Sequence, residues 1–107
     1  MIEKHHIIFK SQQGLDFEMN YKYLTSEEHR GNNGPHMCRK TDLAYKKEMQ
    51  KNLEKTLIQK YYTTKDLIEI LGLKERQANK AFRKIEGPRG IKRKDAIKKL
   101  MGDRFYL

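Results

Sequence analysis

Only one of the 107 residues is cysteine, Cys38, so the chain has neither a disulfide framework nor a cysteine-based zinc site. Such scarcity suits a reduced, intracellular setting, and a cytoplasmic location is the expectation. Long apolar runs are missing too: no stretch reads as a signal peptide or a membrane span, and a soluble chain with no membrane partner is expected. Internal repeats and low-complexity tracts are absent, which leaves one small domain, or one domain with an appendage. Acidic residues are few, with 14 Asp and Glu against 24 Lys and Arg, a formal net charge of +10.

That excess points to a polyanionic partner, nucleic acid before an anionic membrane surface. The charge is unevenly placed. Residues 1–38 carry 4 Lys and Arg against 5 Asp and Glu, whereas residues 39–107 carry 20 against 9. The second part therefore supplies the attraction for phosphates. Hydrophobic and charged residues each make up 36%, so the core must be modest, yet aromatic and branched residues are too frequent for a disordered chain.

Patterning gives an order of elements. "HHIIFK" (5–10) and "MNYKYL" (19–24) read as short strands, and "SQQGLDFE" between them suits a hairpin loop. "TSEEHR" (25–30) opens a short helix with Thr25 as N-cap and Glu28 three places on, a capping box, and "GNNGP" (31–35) ends it. Residues 41–60 read as one longer helix carrying Tyr45, Met49, Leu53 and Leu57 at four-residue steps, a stripe for packing. "TTKDLIEILGLKERQANKAFRKI" (63–85) reads as helix, turn, helix, with Leu67, Ile70 and Leu71 on one apolar stripe, Gly72 at the break, and Ala78, Ala81, Phe82 and Ile85 on the next. "EGPRGIKRK" (86–94) is a basic turn or wing, and "DAIKKLMG" (95–102) a last short helix.

The histidines carry the chemistry. His5 and His6 are adjacent, Asn20 follows His6 by 14 positions, and His29 follows Asn20 by 9. Together with "HHIIFKSQQG" and "LTSEEHR", this spacing resembles the HNH endonuclease family, whose site is a ββα-metal fold; the resemblance covers roughly the first 40 residues. It implies hydrolysis of DNA phosphodiester bonds with one divalent metal ion, Mg²⁺ or Mn²⁺, with Zn²⁺ or Ni²⁺ as alternatives suited to imidazole ligands. By this resemblance His6 is the general base and His5 and His29 are metal ligands. Asn20 braces the loop and orients the base. His36, seven positions after His29, is the candidate third ligand or a phosphate contact.

The chemistry fits these residue types, because hydrolysis needs a base near neutrality for the water and a cation to stabilise charge on the phosphate. One tension lies in β geometry: neighbouring side chains of a regular strand point to opposite faces, so His5 and His6 share a site only if the strand ends or bulges there, or a phosphate sits between them. The chain also departs from the family pattern. Thr25 and Glu28 stand where many members have cysteines for a structural zinc, Gln13-Gly14 replaces a glycine pair, and Asn33 occupies the place of a frequent later histidine.

Residues 63–85 resemble the helix-turn-helix of excisionase-like and winged DNA-binding domains, although Ile68 stands where a small residue is commoner. If the second helix enters a major groove, Lys74, Arg76, Gln77, Asn79, Lys80 and Arg83 face outward to read base edges or grip phosphates. Arg89, Lys92, Arg93 and Lys94 would add salt-dependent backbone contacts. The expectation is an α+β protein with an N-terminal HNH ββα-metal unit (1–40), a connecting helix (41–60) and a C-terminal winged helix-turn-helix (61–107). It would be a DNA-cleaving hydrolase resembling those of phages and mobile elements; a single unit would nick, and cutting both strands invites a homodimer. The alternatives are a non-catalytic DNA-binding regulator with a degenerate HNH unit and a protein that binds or cleaves RNA.

Overall fold

Thr25 both ends a strand and starts a helix. Its hydroxyl accepts the Glu28 N–H at 3.1 Å, and the Glu28 carboxylate accepts the Thr25 N–H at 2.8 Å, so two donors that a helix start leaves unpaired are satisfied reciprocally. A computed structural model describes residues 1–107 and shows this capping box between β2 (Tyr21–Thr25) and α1 (Ser26–Arg30). β2 pairs antiparallel with β1 (Ile2–His6), in a register running from Ile2 opposite Thr25 to His6 opposite Tyr21.

The first strand lies earlier than the "HHIIFK" pattern predicts. Ile7 and Ile8 are both buried, which two-faced alternation cannot provide, and they leave the ladder to enter the core. Asn20 makes that departure possible. Its Oδ1 accepts the Ile8 N–H at 2.7 Å, and its Nδ2 donates to the Ile8 carbonyl at 3.1 Å and the Leu15 carbonyl at 2.8 Å. The amide thus stands in for a missing strand partner. The loop itself holds two 3₁₀ turns, Lys10–Gln12 and Glu18–Asn20, and Gln13 takes the left-handed conformation (φ 69°) where the family pattern has glycine.

After α1 the chain doubles back. The Gly34 N–H donates to the Gly31 carbonyl at 2.9 Å, and a Cβ at Gly34 would sit about 2.5 Å from the His29 carbonyl oxygen, so only glycine permits this close return. α2 (Arg39–Thr56) starts two residues before the predicted 41–60 helix and stops four residues short. Leu57, last of the predicted stripe, is buried beside Met49 and Leu53 but lies past the helix. Arg93 holds that end: its guanidinium donates to the Leu57 carbonyl and, at 2.8 Å, to the Glu54 carbonyl.

β3 (Tyr61–Tyr62) precedes α3 (Thr64–Leu71), which starts on a second capping box, Thr63 with Asp66. Gly72 (φ 70°) caps α3, and α4 (Glu75–Phe82) follows, relaxing into a 3₁₀ turn at Arg83–Ile85. Ile70 and Ile85, both assigned to apolar stripes, are instead exposed, because α3 is straddled on its Leu67–Leu71 side only and the 3₁₀ turn carries Ile85 off the α4 face. β4 (Ile91–Lys92) pairs with β3 and runs into α5 (Arg93–Leu100). The architecture is α+β, five helices with two small antiparallel sheets. One continuous core of 18 buried residues takes Ile7, Ile8 and Phe17 from the first segment, Met49, Leu53 and Leu57 from and just beyond α2, and Leu67, Phe82, Ile97 and Leu100 among others from the last. No helix is long and apolar enough to cross a membrane.

Candidate metal centre and its surroundings

Alternation along β1 places Glu3 and His5 on one face of the hairpin. α1 crosses that face and brings His29; the return at Gly34 brings His36. The three imidazoles meet. His29 Nε2 is 3.1 Å from His5 Nδ1 and 3.0 Å from His36 Nε2, and one nitrogen from each ring lies within 4.8 Å of the others. Ligand nitrogens of a tetrahedral site with bonds of about 2.1 Å lie about 3.4 Å apart, so the His5–His29 and His29–His36 pairs each need a few tenths of an ångström of expansion around an ion. His5, His29 and His36 are close enough to hold one metal ion.

Burial grades across the cluster: His5 is buried, His29 intermediate and His36 exposed, which leaves an open side toward solvent. Burial, followed by the nearby His29 and His36, pushes the His5 pKa down to about 4, so near neutrality it presents a lone pair. His5 Nε2 is buried without a partner. His29 is oriented from behind. A carboxylate only accepts, so the His29 Nδ1–H donates to Glu3 Oε1 (2.8 Å) and Nε2 is left as the lone-pair atom facing the other rings. Glu3 is in turn held by Arg30 at 3.1 Å and Ser26 at 3.2 Å. The bonds from His29 and then Arg30 keep its carboxyl below the ordinary glutamate range.

His6 takes the other face. β1 is unbulged through His6, which ends the strand opposite Tyr21, and the His6 ring lies edge-on to Tyr21 at 5.1 Å. Its Nε2 bonds Asp16 Oδ1 at 2.7 Å. Of the two backbone conditions for a shared site, the bulge is absent and the strand end is present. Asn20 is buried and fully used in the loop, with its side chain on Ile8 and Leu15; the group that touches His6 is Asp16. Bonds from His6 and then Gln77 hold the Asp16 carboxyl well below the usual aspartate range.

The cations of the second half divide into free and committed. Arg76, Lys80, Arg89, Lys92 and Lys94 are exposed. Lys74 is exposed and lies 3.7 Å from Asp16 Oδ2, while Arg83 donates to the half-buried Asn79 at 3.2 Å. Gln77 bonds Asp16, and Arg93 caps α2. These two side chains, predicted to face nucleic acid, are engaged inside the protein because their elements pack against the loop and α2.

Sequence reasoning missed Glu3, Asp16 and Lys46. Glu3 carries a signal, since it stands two residues before His5 and shares its face. Asp16 carries none, because a loop residue's partners depend on where α4 docks. Lys46 is a buried cation paired with Asp42 at 2.7 Å and set over the Phe9 ring at 4.3 Å, beneath the histidine cluster. No protein-family profile, curated protein or solved structure matches the chain.

Proposed function

We propose that the chain is a metal-dependent HNH endonuclease that hydrolyses DNA phosphodiester bonds. The observation that carries this reading is the convergence of His5, His29 and His36 on a β–β–α unit, with Glu3 bonded behind His29. These three residues would hold the ion, and the donor set of neutral imidazoles favours Zn²⁺, Ni²⁺ or Mn²⁺ over Mg²⁺, which prefers oxygen. A divalent ion bound there would supply positive charge against the phosphate and the departing oxygen.

The remaining work falls to side chains. His6, at the end of β1, accepts a proton from the attacking water, and a phosphate lying across the strand end would touch both faces of the hairpin. Asn20 keeps the loop in the shape that ends β1 at His6. Arg76, Lys80, Arg89, Lys92 and Lys94 attract and position the DNA backbone, and the half-buried Asn79 and the Lys74 and Arg83 side chains lie on the same helix or at its end. The position of His6 on the face opposite the cluster favours a second reading, a DNA-binding regulator whose metal is structural.

One assay separates the two. Supercoiled plasmid is incubated with the protein and Mn²⁺, Mg²⁺, Zn²⁺ or Ni²⁺, with and without chelator, beside His6→Ala and His29→Ala. Cleavage that requires an ion and both histidines, with DNA binding retained in His6→Ala, supports the nuclease. Tight metal and DNA binding with no cleavage under any ion supports the regulator.

A further inference from the structure

Asp16 makes contacts out of proportion to a loop residue. Its Oδ1 lies 2.7 Å from His6 Nε2, and Tyr21 Oη reaches the same oxygen at 3.5 Å. Its Oδ2 accepts the Gln77 Nε2–H at 2.8 Å, and its own backbone N–H donates to Gln77 Oε1 at 2.9 Å. The Asp16 side chain is only 13% exposed. Gln77 lies on α4, 61 residues away in sequence, and its amide closes a ring with both backbone and side chain of Asp16.

The direction of each bond is set by chemistry. The Asp16 N–H can only donate, so Gln77 must present its oxygen there and its NH₂ to Oδ2. A carboxylate can only accept, so neutral His6 must carry its proton on Nε2 and keep the lone pair on Nδ1. We propose that Asp16, clamped by Gln77 from α4, is a positioning residue for His6, holding the ring in the tautomer whose Nδ1 accepts a proton from water. This rests on the nuclease reading in which His6 is the base. When the water proton passes to Nδ1, the resulting hydroxide forms a bond to phosphorus as the bond from phosphorus to the departing sugar oxygen breaks. That oxygen takes a proton from solvent water, and the imidazolium keeps its Nε2–H on the Asp16 carboxylate. The clamp also makes α4 part of the catalytic apparatus.

The same bond directions give a test that a merely structural role does not pass. In Asp16→Asn the amide has one acceptor oxygen. Gln77 continues to present its NH₂, so the new amide turns its oxygen to Gln77 and its own NH₂ to His6 Nε2. His6 then moves its proton to Nδ1. Nitrogen-15 NMR of the full chain, at a pH where the ring is neutral, reads the tautomer directly. The expected result is an Nε2–H ring in the wild type, an Nδ1–H ring in Asp16→Asn, and recovery of Nε2–H in Asp16→Asn/Gln77→Ala, where the amide is free to turn. Plasmid cleavage should fall by about 10²-fold or more in Asp16→Asn and partly recover in the double variant, with Zn²⁺ stoichiometry unchanged throughout. An Asp16→Asn chain that cuts DNA normally, or keeps Nε2–H, overturns the inference. The expected tautomers in all three chains, together with no DNA cleavage by the wild type, overturn the nuclease reading and leave Asp16 and Gln77 in control of the ring.

Discussion

Replacing Asn20 with alanine removes three hydrogen bonds at once from a residue with no exposed surface. The Ile8 N–H has no other acceptor within reach of the ladder, and an unpaired buried donor costs about 1–3 kcal/mol. The Ile8 and Leu15 carbonyls each lose a donor, and the missing amide leaves a small void. The sum is about 3–4 kcal/mol, against a total stability of about 5–15 kcal/mol for a chain of this length. Urea unfolding followed by circular dichroism measures it; with a slope near 1.5 kcal/mol per molar, the midpoint falls by about 2–3 M. Asn20→Asp keeps an acceptor for Ile8 but aims a carboxylate oxygen at two carbonyls, so it should be no milder. A loss under about 1 kcal/mol for Asn20→Ala would refute the assignment of Asn20 as the residue that ends β1.

The metal-free protein should lose stability on acidification. The His5 pKa is lowered to about 4 in the folded state against about 6.5 unfolded, so the unfolded chain binds the proton more tightly; the contribution is intact above pH 6.5 and is lost as pH falls toward 4, by up to about 3 kcal/mol, read from urea midpoints and flattened in His5→Leu. Glu3→Gln should weaken Zn²⁺ binding by about 10–100-fold in competition with a chromophoric chelator, because Gln holds the His29 ring less firmly, whereas His6→Ala should bind Zn²⁺ as the wild type does. Arg93→Ala should lower stability by about 1–3 kcal/mol through its two lost bonds at the end of α2, with no change in the salt slope of DNA binding. Arg76→Ala should do the reverse, lowering that slope by about 1 in fluorescence anisotropy while leaving the urea midpoint in place.

What could be read from the sequence was local. Thr25 with Glu28 announces α1, and Thr63 with Asp66 and Gly72 brackets α3, because caps and left-handed residues act over three or four positions. His5 and His29 are legible as ligands through the spacing of the HNH resemblance, whereas His36 falls off that spacing and reads only as a third ligand or a phosphate contact until the structure brings it beside them. The limits of β1 are not: Ile7 and Ile8 have the β propensity of a strand, and a side chain twelve residues away draws them out of it. Propensity yields there to a tertiary bond. The roles of Gln77 and Arg93 are hidden for the same reason, since a polar residue on a helix looks alike whether it meets solvent, DNA or another part of its own chain. Lys46 reads as one cation among many and is buried over Phe9.

The hydrophobic interior described above belongs to no single segment: isoleucines that follow the paired histidines rest among leucines drawn from the opposite end of the chain. Grafting a foreign module after α2 would therefore strip the N-terminal hairpin of its floor, and a fragment ending near residue 40 would have nothing to collapse onto. Re-engineering the surface of this chain means editing exposed side chains on an intact scaffold, because with a shared interior its halves cannot be traded like cassettes.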